Sequence, residues 1–227
     1  MPGRGPLPTR PRSLPTRGRG LPTLALAVLA AALLTGCGSG SGSGASSGGG
    51  GKGTSAGQLA AAGELSPPTA SPPLALHNYL GQPVNIDSYR GKGVFVTFIY
   101  THCPDVCPLI TSNLRVALNL MGKNSSRAQV IAVSVDPRGD TPHTVAKFLA
   151  AHEMTGRMQY LIGSPQELAA VWKAWGVGSE REVGHPDLVE HTGIVYGITG
   201  SGRRLAVYAA NFRPQDVAHD APILAAH

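Results

Sequence analysis

A mixed α/β fold, one sheet flanked by helices with a hairpin on its N-terminal side, is predicted by three observations in this 227-residue chain. Gly93 to Tyr100 (GVFVTFIY) is an unbroken β-branched and aromatic run, the pattern of a strand buried on both faces and therefore central in its sheet. Two helix starts are written out downstream, Thr141-Pro142 and the capping box Ser164-Pro165-Gln166-Glu167. Strand-like runs alternate with these helices, which calls for a sheet with helices on both faces.

The remaining elements follow in order. Leu74 to His77 and Val84 to Ile86, separated by a turn containing Gly81, read as a short hairpin. Thr111 to Met121 is helical, with Leu114, Leu118 and Met121 on one face, and Gln129 to Val135 is a second buried strand. A helix capped by Thr141 runs to about His152, with Val145, Phe148 and Leu149 inward; Met158 to Ile162 is a short strand. The helix capped by Ser164 stops at Gly176. Thr192 to Ile198 and Arg203 to Tyr208 form a hairpin about Thr199-Gly200-Ser201-Gly202, and a last helix begins near Pro214. The order is thioredoxin-like. Val177 to Glu190 lacks periodicity and contains Gly178, Gly184 and Pro186, which predicts a long loop of the kind that carries function.

The N-terminal third is organised differently. Met1 to Gly20 holds five arginines and no acid, and an apolar run of about 14 residues follows from Leu21 to Leu34. That is a signal peptide, too short to cross a hydrocarbon core needing about 20 residues. Leu34-Thr35-Gly36-Cys37 resembles the bacterial lipobox, which makes 1–36 a lipoprotein leader and Cys37 the lipidated first residue of the mature chain. Gly38 to Gly57 is nearly all Gly and Ser, and Ala60 to Pro73 is rich in Pro and Ala, so 37–73 reads as a flexible tether and the folded domain as 74–227. The expected location is the extracytoplasmic face of the cell membrane, as a lipid-anchored monomer.

Removing the leader changes the charge argument, because 14 basic side chains then face 13 acidic ones, close to neutral. The basic pI of the whole chain belongs to the leader, and nucleic acid is excluded as a partner.

Of three cysteines, Cys103 and Cys107 remain after Cys37. A bridge closing so short a loop contributes little to stability, so the pair points to chemistry. They sit in Thr101-His102-Cys103-Pro104-Asp105-Val106-Cys107-Pro108, directly after the central strand, at the carboxyl end where open sheets present their sites. In a helix running from Pro104, the Pro108 ring would meet the carbonyl four residues back, so the helix must begin near Cys107 or Pro108. Cys107 then stands at a helix N-terminus, whose dipole favours a thiolate. Three intervening residues suit a metal better than simple redox exchange, without forbidding a disulfide. Two thiolates select soft Cu(I) or Zn, and an added imidazole also admits Cu(II). His191, at the junction of the long loop and a strand, is the foremost candidate for third ligand, with His77, His102 and His185 as competitors.

The segments Phe98 to Pro108, Ser134-Val135-Asp136-Pro137-Arg138-Gly139-Asp140-Thr141 and Glu190-His191-Thr192 together resemble the Sco/SenC copper chaperones, thioredoxin-like proteins that serve assembly of cytochrome c oxidase. The resemblance implies copper, as Cu(I) and Cu(II), held by Cys103, Cys107 and His191. It also implies delivery to cytochrome c oxidase subunit two or another copper protein, and a place for Asp136 beside the site; a plain turn after a strand accounts for Asp136 equally well. Glu190 stands where the family often has Asp, and Leu109 and Ile110 stand where it often has polar residues, which leaves the metal ligands intact but alters the surface a partner meets. The competing function is a thiol-disulfide reductase using Cys103 and Cys107 as a redox-active pair that keeps the oxidase cysteines reduced. A thiol peroxidase and a lipoprotein with an incidental disulfide are more distant readings.

Overall fold

The computed structural model describes residues 58–60, 63–182, 185–191 and 193–227; within 179–191 it describes the backbone of the elements and, of the side chains, that of Val189. The leader, Cys37 and the Gly/Ser segment lie outside the described residues. Among the described residues no helix is long and apolar enough to cross a membrane.

The elements run β1 (Gly63–Ala70), β2 (Ala75–Asn78), β3 (Pro83–Asn85), a 3-10 turn at Ile86–Tyr89, β4 (Gly93–Ile99), α1 (Val106–Met121), β5 (Ala128–Ser134), α2 (Pro142–Ala151), β6 (Met158–Ile162), α3 (Pro165–Trp175), β7 (Ser179–Glu182), β8 (His185–His191), β9 (Ile194–Ile198), β10 (Arg203–Ala209) and α4 (Pro214–Ala226). Eight strands form one sheet in the order β1-β10-β9-β4-β5-β6-β2-β3. The β4/β5 and β5/β6 pairs are parallel, and the other pairs are antiparallel. β4 lies between β9 and β5 with all seven residues buried, the central position its apolar run predicts.

Side-chain direction assigns the helices to faces. Thr97, Ala132 and Tyr160 are register neighbours and point to one side, where Phe148 of α2 packs on Tyr160 with ring centroids 6.2 Å apart. α1 meets the turn that follows α2 on that side through Arg115 and Glu153, 3.5 Å apart, and α4 packs against both α1 and β4. Phe98 points the opposite way and meets Trp175 of α3, 5.7 Å between centroids, with Tyr196 of β9 closing the cluster. Burial of these rings, with about 1.5–3 kcal/mol for each large side chain moved out of water, outweighs any single polar contact.

Both predicted caps form. The Thr141 hydroxyl accepts the Thr144 N–H, and Ser164 and Glu167 close a reciprocal capping box. α3 ends at Gly176 with φ 69°, a left-handed conformation that glycine adopts without strain.

Two regions differ from the sequence reading. Pairing begins at Gly63, since β1 lies along β10 (Gly63 with Val207, Ala70 with Arg203) upstream of Leu74. Pro67 and Pro68 fall where the register breaks on this edge strand, a position where missing N–H groups cost no ladder bond. The segment 177–190 is not a plain loop but carries the antiparallel ribbon of β7 and β8. Its members belong to a separate two-stranded sheet, so the regular apolar alternation of a half-buried strand is not required of them.

Candidate metal centre

The thiol loop grows from the carboxyl end of β4. Two bonds hold its first residues: the Thr101 N–H donates to Asp140 Oδ1 at 2.8 Å, and the Cys103 N–H to the Tyr100 carbonyl at 3.4 Å. The helix that follows starts at Val106, with Asp105 as its cap and the Leu109 N–H donating to the Asp105 carbonyl at 3.5 Å. Pro108 is therefore its third residue, and the carbonyl four back belongs to Pro104, outside the helix. The proline thus fixes where α1 begins, one residue ahead of the predicted start.

This brings the two cysteines together. Both are present as thiols and both are buried, Cys107 completely and Cys103 to 8% exposure. The Cys107 N–H donates to Cys103 Sγ at 3.4 Å, and the thiols are hydrogen-bonded to each other. Burial, helped by the neighbouring Cys103 thiol and the charge of Asp140, pushes the Cys107 pKa well above the ordinary thiol range, against a hydrogen bond from the Tyr100 main chain. The thiolate expected from the helix dipole is thus overridden by desolvation, and the metal-free site is neutral at Cys107.

Tyr100 ties this loop to the ribbon. Its hydroxyl accepts the Val189 N–H of β8 at 3.3 Å and is hydrogen-bonded to the Cys103 side chain. Burial lifts the phenol pKa, so the hydroxyl keeps its proton. His191 ends β8, two residues past Val189, with Ser179 as its register partner. The backbone bearing the expected third ligand is thereby anchored to the cysteine loop; the His191 side chain lies outside the described part. Among the described residues no cluster of three His, Cys, Asp or Glu donors forms.

The other candidates separate. His77 is exposed on β2, opposite Ile162, and His185 opens β8. His102 is exposed; its Nδ1 is 3.2 Å from the Thr101 hydroxyl, and it lines a cleft of about 340 Å³ with His143, Thr144 and Lys147. Asp136 is buried in a tight turn, accepting the Arg138 N–H on Oδ1 at 3.2 Å while its carbonyl accepts the Asp140 N–H at 2.9 Å. Its Oδ2 and His102 Nδ1 both crowd the spot a Gly139 Cβ would fill, so Gly139 is required by this close approach. Asp136 thus serves a turn and also adjoins the residue before Cys103.

Sequence reasoning passed over Asp140, Tyr100 and Tyr160. Asp140 Oδ2 accepts the Ser134 hydroxyl at 2.6 Å and the Tyr160 hydroxyl at 2.8 Å while Oδ1 holds Thr101, binding the end of β5 and the middle of β6 to the thiol loop. Its place in the Ser134 to Thr141 segment was the available signal.

The family model for SCO1/SenC matches residues 63–224. The chain belongs to the SCO1/SenC family. It is 25% identical over 156 residues to the human mitochondrial protein SCO1 homolog, covering 66% of this chain and 51% of that protein. The chain spans about half the length of the first curated relatives it matches. Among solved structures, Bradyrhizobium japonicum ScoI with copper bound is 30% identical, with a TM-score of 0.60 over 67% of this chain and 97% of that one. Arabidopsis thaliana ScoI with copper bound is 26% identical, with a TM-score of 0.58 over 66% of this chain and 94% of that one.

Proposed function

We propose that this protein is a membrane-anchored extracytoplasmic copper metallochaperone that holds copper through Cys103, Cys107 and His191 and supports copper-centre assembly in cytochrome c oxidase. The observation that carries this reading is the buried thiol pair at the carboxyl end of β4, joined through Tyr100 to the strand that ends in His191. Two thiolates in an apolar pocket suit Cu(I), and an imidazole extends the site to Cu(II). The copper-bound ScoI relatives support the same assignment. Residues 1–36 act as the lipoprotein leader, Cys37 carries the lipid, and the Gly/Ser-rich run from Gly38 to Gly57 is the flexible part of the tether.

Copper must displace the thiol protons, so affinity falls as pH falls. Copper titration of the reduced protein is the test: one equivalent binds with a sulfur-to-Cu(II) charge-transfer band, Cys107→Ser loses affinity for both oxidation states, and His191→Ala loses chiefly Cu(II). Full affinity in Cys107→Ser overturns the proposal.

A reductase reading draws on the same contact between thiols, since the pair could give two protons and two electrons to a partner disulfide and close as Cys103–Cys107. Burial of Cys107 as a neutral thiol weighs against fast exchange. His191→Ala separates the two, leaving disulfide exchange unchanged while Cu(II) binding collapses.

A further inference from the structure

A copper site split between a rigid loop and a separate ribbon needs something to hold the two in register. α1, β4 and Asp140 fix the cysteines, but among the described residues β8, which ends in His191, pairs with β7 alone, and a gap in backbone pairing separates this ribbon from the eight-stranded sheet that the chain rejoins at β9. The hydrogen bond from the Val189 N–H to the Tyr100 hydroxyl crosses that gap two residues from His191. Both ends are buried, Tyr100 at 2% and Val189 at 6% exposure, so water does not substitute for the bond at little cost.

We propose that the Tyr100 hydroxyl is the positioning group that sets the His191 strand against the thiol pair. The inference rests on the copper reading for its consequence but not for its geometry. A phenol hydroxyl has one proton and two lone pairs. With Cys103 as a thiol, the oxygen accepts from Val189 and exchanges a hydrogen bond with the sulfur. When Cys103 becomes a metal-bound thiolate, the phenol proton points at the sulfur and a lone pair still accepts from Val189. One side chain can therefore tie the ribbon to the sulfur in both states: a donor-only group could not accept from Val189, and an acceptor-only group could not donate to a thiolate.

Tyr100→Phe keeps the ring and removes the hydroxyl, and two measurements on the reduced full-length protein read the result. In the metal-free protein, hydrogen exchange at the Val189 amide should accelerate about tenfold or more, the scale of losing one buried hydrogen bond, while amides of β4 and β5 stay as slow as before. In copper titrations, Tyr100→Phe should weaken Cu(II) binding about tenfold, the scale of losing a group that orients a ligand. In a His191→Ala background the same change should have less than a twofold effect, because there is no imidazole left to position.

Unchanged Val189 exchange overturns the proposal whatever copper does. Faster exchange with unaltered Cu(II) affinity also overturns it, because the ribbon would then find its place without the hydroxyl. A tenfold loss that persists in the His191→Ala background assigns Tyr100 to the thiols alone and overturns it too. Should His191→Ala by itself leave Cu(II) binding intact, the copper reading fails at that ligand, and the Val189 measurement still reports separately on whether Tyr100 holds the ribbon.

Discussion

The Asp140 carboxyl receives the Thr101 N–H on one oxygen and the Ser134 and Tyr160 hydroxyls on the other, while only 4% exposed. Burial raises its pKa, and the three donors partly restore it. A carboxyl with a raised folded pKa contributes fully below the unfolded value of about 3.9, and that contribution is lost as pH rises through the folded value. Asp140 should therefore weigh against stability toward neutral pH. Urea unfolding from pH 4 to 7 checks this: wild type should lose stability relative to Asp140→Asn as pH rises, and parallel curves would refute it. Asp140→Ala removes the acceptor from three buried donors and should cost about 3 kcal/mol in the same experiment. The cysteine pair was legible because two thiols four apart between prolines restrict both backbone and chemistry. Asp140 was not, because composition cannot say which of two buried acids four residues apart reaches the thiol loop; Asp136 closes the turn while Asp140 accepts the Thr101 N–H.

Elements whose shape is decided locally were read closely. α2 and α3 start where Thr141-Pro142 and Ser164-Pro165 place a cap and a proline, and β4 is central because no alternation interrupts its apolar run. β1 and the β7–β8 ribbon depend on partners remote in sequence. β1 is a strand only because β10 offers its edge, and its prolines otherwise signal a tether. Ser164→Ala tests how much a local signal carries, since it removes the acceptor for the Glu167 N–H and the donor to Glu167 Oε2 at 2.7 Å. The expected cost is about 1 kcal/mol, seen as a shift in urea midpoint with unchanged slope. α3 presents Trp175 to Phe98 and Tyr196, so a changed slope would mean that the helix does more than dock there.

Taken as a whole, the proposed site joins parts as remote in sequence as the sheet that carries it, in which β1 pairs β10 and β4 pairs β9. Cys103 and Cys107 lie in one loop, but the strand that ends in His191 arrives from the far side of three helices and is fastened through Val189 and Tyr100. A ligand that joins both parts must stabilise the folded state by its affinity for it, since the unfolded chain does not hold the loop and the ribbon together. At a free copper concentration about a thousand times the dissociation constant the gain is about 4 kcal/mol, which for a domain of this size raises the melting temperature by roughly 10 °C. Calorimetry of the reduced protein with and without Cu(I) buffered at that free concentration should show that rise. Cys103→Ser with Cys107→Ser should abolish it, and His191→Ala should diminish it far more for Cu(II) than for Cu(I). A rise that survives loss of both thiols would place the metal elsewhere on the chain, and the cleft beside His102 and His143 would be the first place to look.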